Sequence, residues 1–73
     1  MRANTNRLRV LRAERRMTQM LLARRSRINV TRLSHIENDV LDPTDVERAR
    51  LAKALGVELA EAFPLLQNEA VAS

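Results

Sequence analysis

The sequence predicts an all-α domain, a compact bundle of five short helices. Three observations predict it. Apolar residues recur at helical spacing, as in Leu8 with Leu11 and Leu33 with Ile36. Helix-starting residues stand ahead of those runs at Thr18, Asn29 and Thr44, and the only glycine, Gly56, falls where a helix should stop. No segment alternates convincingly enough to be a strand.

The elements follow in order. Asn4 or Thr5 can cap a first helix running to about Arg16, with Leu8 and Leu11 on one face and Val10 flanking it. Thr18 caps a second helix that turns Leu22 and Ala23 inward. Asn29 caps a third, over residues 29–36, whose Leu33 and Ile36 share a buried face. Thr44 and Glu47 make a capping box for a fourth helix, which presents Leu51, Ala52 and Leu55 inward and closes at Gly56. Val57 to Phe63 reads as a short fifth helix stopped by Pro64. The domain is expected over residues 1–66, with 67–73 a disordered tail.

Seventy-three residues make one small domain. A single core of this size rarely contributes more than about 3–5 kcal/mol, so a second subunit would help. With no cysteine there is neither disulfide nor thiolate metal site, as suits a reducing cytosol. No apolar run approaches a membrane span and the basic N-terminus lacks an apolar signal core, so a soluble, cytoplasmic protein is expected.

Charge is segregated. Residues 1–36 carry ten arginines against Glu14, a net of +9. Residues 37–73 carry Arg48, Arg50 and Lys53 against eight acids, a net of −5. A basic half of this kind suits a polyanion, whereas a merely solvated surface usually intersperses its signs. No catalytic group is apparent. His35 is the lone histidine and has only Ser34 beside it on the helix, so neither an enzyme nor a metal or cofactor site is expected.

Several motifs stand together: Leu8-Arg9-x-Leu11-Arg12, Thr18-Gln19, Leu22-Ala23, Ser34-x-Ile36-Glu37-Asn38, Pro43-Thr44, and Leu51-Ala52-Lys53-Ala54-Leu55-Gly56-Val57. Each is weak alone. At these spacings the chain resembles the phage-repressor and Cro-like (XRE-type, lambda-repressor-like) helix-turn-helix family from about Leu8 to Phe63. It is also similar in size to phage Cro proteins and restriction–modification controller proteins.

The resemblance implies a transcriptional regulator of double-stranded DNA, found with the nucleoid and acting as a repressor on a roughly palindromic operator. Helix two would cross the backbone while helix three lies in the major groove. Val30, Thr31, Arg32 and His35 are the candidate base readers. Valine can meet a thymine methyl, threonine a methyl or a polar edge, and arginine either guanine or a phosphate. Thr18, Gln19, Asn29 and Asn38 are the candidate phosphate holders, the first two helped by free amides at a helix start. Arg12 and Glu37 are expected to form a buried structural ion pair.

Departures from the family pattern are informative. Arg27 stands where a turn glycine is usual, and Ser26 replaces a common apolar residue. Asp45 and Arg48 also occupy positions that are often apolar. Met20 and Leu21 are apolar where relatives expose acids, which leaves them as scattered surface residues or as a surface for a protein partner. Val57, Leu59, Phe63, Leu65 and Leu66 are the expected homodimer interface, with Phe63 equally suited to plugging the monomer core. The alternative function is an antitoxin-like interaction module whose DNA binding is secondary. No small-molecule ligand domain is expected.

Overall fold

The computed structural model describes residues 6–64 and contains five helices: α1 (Leu8–Glu14), α2 (Gln19–Ser26), α3 (Val30–Glu37), α4 (Asp45–Leu55) and α5 (Leu59–Ala62). The described residues form no strand, so the all-α expectation holds. Asn4, Thr5, Leu65, Leu66 and the tail 67–73 lie outside the described residues.

Four of the expected caps form. Thr18 Oγ1 accepts the Leu21 amide at 3.0 Å, and Asn29 Oδ1 accepts those of Thr31 at 2.8 Å and Arg32 at 3.3 Å. The Thr44–Glu47 capping box closes in both directions, and Gly56 ends α4 in the left-handed conformation. At α1 the N-cap, Arg7, makes no side-chain cap, and Asn6 Oδ1, one residue earlier, accepts the Leu8 amide at 3.1 Å. The same side chain donates to the Ile36 carbonyl at 3.1 Å, tying the start of α1 to the end of α3.

The four longer helices end alike. In each, one residue turns left-handed, its amide bonds back three residues, and the next amide bonds back five. The turning residues are Arg16, Arg27, Asp39 and Gly56, with φ of 51°, 60°, 60° and 73°. Only one is glycine. This closure shortens α1 relative to its expected end at Arg16, because Arg16 has already left the helix. Likewise Val57, bonded back to the Ala52 carbonyl, belongs to the α4 closure, so α5 starts later than expected. The residue after such a turn commonly packs against the helix it ends. Met17 and Ile28 are buried there and Val57 is partly buried, whereas Val40 stays 66% exposed.

The core joins all five helices through Leu8, Leu11, Leu22, Leu33, Ile36, Leu51, Leu55 and Ala62, with Met17 and Ile28 contributed by the turns and Phe63 by the residue after α5. α2 packs on both α3 and α4, and α5 packs on α4. Ser26 does thin the apolar core, but its cost is small. Its Oγ is buried and donates to the Leu22 carbonyl at 2.7 Å, so no polar atom is orphaned. Asp45 and Arg48 pair with each other on α4, and Arg48 also donates to the Pro43 carbonyl at 2.7 Å.

Candidate nucleic-acid interface

Among the described residues, the outer face of α3 is left exposed at Val30, Thr31 and His35. Leu33 and Ile36 are fully buried, which turns Thr31, His35 and Asn38 outward along one stripe at i, i+4 and i+7 spacing. Val30, 37% exposed, flanks the stripe at the helix start. Asn29 fixes that start by capping it, so its side-chain oxygen is occupied by Thr31 and Arg32 amides. Thr18, itself exposed, does the same for α2 by accepting the Leu21 amide.

Three expected contact residues are held by the protein. Gln19 does not point away from the fold: its Nε2 donates to Glu37 Oε1 at 3.0 Å. Asn38 Nδ2 donates to the Ser34 carbonyl at 2.9 Å, and its oxygen accepts from Arg9 Nη2. Arg32 turns away from the stripe to α4, where Nε and Nη2 meet the Glu47 carboxylate at 2.5 and 2.8 Å. The pairing, with help from the Thr44 backbone amide and hydroxyl, lowers the Glu47 pKa to about 2 and raises that of Arg32.

Behind this face lies the Arg12–Glu37 pair. Arg12 Nε and Nη2 reach the two oxygens of Glu37 at 2.7 and 3.0 Å, with the Glu37 side chain fully buried. Gln19 supplies the third bond, and Arg12 Nη1 also donates to the Met17 carbonyl at 3.1 Å. One carboxylate therefore joins α1, the start of α2 and the end of α3. That fixes the angle between the two helices of the corner.

A cluster of cations lies between the end of α2 and α4. An open cavity of about 320 Å³ beside the α2–α3 corner is lined by Arg25, Arg27, Arg50 and Lys53 with Ser26 and Ala54. None of the four cations joins an ion pair among the described residues. Arg15, by contrast, is structural, donating to the Leu55 carbonyl at 2.8 Å and the Leu11 carbonyl at 3.0 Å. The sequence offered no signal for that role, because the carbonyl it meets is 40 residues away.

Of the expected interface residues, Phe63 is 4% exposed and packs in the monomer core. Leu59 is 45% exposed and Val57 partly buried, while Leu65 and Leu66 fall outside the described residues. Met20 is 63% exposed on α2, and Leu21 is half-buried against the core. No three metal-ligating side chains cluster among the described residues, and none of the described helices is long and apolar enough to cross a membrane.

Comparison with known proteins bears on this geometry. A family model described as a helix-turn-helix domain matches residues 5–63. No curated protein matches the sequence.

Proposed function

The chain belongs to the helix-turn-helix domain family and is a DNA-binding regulator in general terms, and from that premise we propose that it is a sequence-specific repressor. In this reading α3 enters the major groove, Val30, Thr31 and His35 meet base edges, and the capped start of α2 meets a phosphate. The exposed stripe of Thr31 and His35 on α3, in a half of the chain that carries ten arginines against one acid, is the observation that carries the proposal. Repression follows from occupancy, because a domain seated in the groove denies the same DNA to other proteins.

A homodimer on a roughly palindromic operator completes the proposal. Leu59 and Val57 offer an apolar contact beside α5. Two copies related by a two-fold axis would address half-sites about 10–10.5 bp apart. Selection of bound duplexes from a random library, followed by footprinting at physiological salt, tests this. The reading requires an enriched, two-fold symmetric sequence; an absence of any enriched sequence would refute it. A second reading, an interaction module with secondary DNA binding, draws on the exposed Met20. It predicts that Met20→Asp abolishes partner binding while DNA affinity stays within about twofold, as checked by titration calorimetry.

A further inference from the structure

Arg32 stands beside the outward stripe of α3 and has the chemistry to take guanine O6 and N7 in the major groove. It is not presented that way. Its Nε–Nη2 edge is filled by both oxygens of Glu47, at 2.5 and 2.8 Å. The Glu47 side chain is recessed, only 15% exposed, so the guanidinium must lie back against the start of α4 to reach it. Glu47 is itself anchored, because Oε1 also accepts the Thr44 amide at 2.8 Å. The pair is bidentate and charge-assisted, and it turns the guanidinium toward α4 although the Arg32 side chain is 37% exposed.

We propose that Glu47 is a specificity-positioning residue, which withholds Arg32 from guanine and leaves base reading to Val30, Thr31 and His35. The inference rests on the reading of α3 as the groove-binding helix. It assigns to a residue on α4, outside the helix-turn-helix corner, control over which base is preferred. The pair also cancels its own charge, so Arg32 adds nothing to the count of neutralised phosphates.

Glu47→Gln separates the two jobs of this side chain. Glutamine keeps an oxygen for the Thr44 amide, so the capping box survives, but it loses the charge that holds Arg32. Base preferences of wild type, Glu47→Gln, Arg32→Ala and the double variant are measured by selection from one random library. Glu47→Gln should gain a preference for guanine of at least about fivefold at one position per half-site. The double variant should lose that preference, and Arg32→Ala alone should leave the wild-type preference unchanged. A log–log salt slope steeper by about 0.9 per protomer without any guanine preference would place the released cation on a phosphate and overturn the inference.

A merely structural role for Glu47 would weaken all sequences equally, with neither a new preference nor a steeper slope, and that result overturns the inference. So does a guanine preference already present in wild type and lost in Arg32→Ala, since Glu47 would then be presenting the arginine. Should Glu47→Gln fail to fold, the Arg32 Nε–H resonance of the wild type decides. It should keep its position on binding the selected duplex, and a large shift contradicts withholding. A wild-type chain that enriches no duplex fails at the level of DNA reading itself. That failure is distinct from a wild type that binds while its variants keep one common preference.

Discussion

Arg12 and Glu37, on α1 and α3, form a two-bond ion pair around a fully buried carboxylate, and Gln19 of α2 donates the third bond. The charge is deeply placed and fully satisfied. Replacing either partner strands the other, which costs about 3–5 kcal/mol. A domain of this size has little more than that in total. Arg12→Ala and Glu37→Ala should therefore be largely unfolded at room temperature, with DNA binding lost as a consequence. Thermal melts followed by circular dichroism check this, and a melt matching wild type would refute the structural role.

Arg27 turns left-handed at φ 60° in the corner between α2 and α3, a conformation that costs a residue with a side chain about 1–2 kcal/mol. Arg27→Gly should raise stability by about 0.5–1 kcal/mol, after the extra chain entropy of glycine is subtracted. The melting temperature should rise by a few degrees, and differential scanning calorimetry gives the sign.

The corner was legible in the sequence because its signals are local. Thr18, Asn29 and the Thr44–Glu47 box each act within a turn of their own position, and Gly56 marks its own closure. The closures at Arg16 and Asp39 were not legible, since no glycine announces them and tertiary packing overrides the preference. Met17 is buried through the Arg16 closure and Ile28 through the one at Arg27, whereas the Asp39 closure leaves Val40 exposed. Arg12 with Glu37 was read from the family resemblance, but the addition of Gln19 was not. Arg32 was read as an outward side chain. Helical spacing places a side chain on a face, but it does not reveal a carboxylate from another helix within reach. Glu47 had already been used as a capping residue, and nothing local signals that it serves Arg32 as well.

The same carboxylate gives a pH prediction. Glu47 has its pKa lowered from 4.5 to about 2, first by the Arg32 hydrogen bonds. A depressed carboxylate stabilises the fold fully above its unfolded value, near 4.5, and the contribution disappears as pH falls toward 2. Acid unfolding of Glu47→Gln should therefore lose part of its pH dependence between about 4.5 and 2, while between pH 5 and 7 this site adds no pH dependence and the wild type keeps its full stability advantage. Circular dichroism across an acid titration reads the difference.

DNA affinity should fall steeply with salt. If two or three arginines per protomer meet phosphates, log affinity against log salt should have a slope of about −2 to −3 per protomer. Fluorescence anisotropy between low and physiological ionic strength measures it, and a flat line would rule out the phosphate contacts.

The account stands or falls on whether the outer face of α3 reads sequence, and Thr31 is its most central exposed residue. Thr31→Ala should melt like wild type yet change the selected sequence at one or two positions per half-site, with roughly tenfold weaker binding to the wild-type site. A Thr31→Ala protein that selects the same sequence with the same affinity would contradict the account.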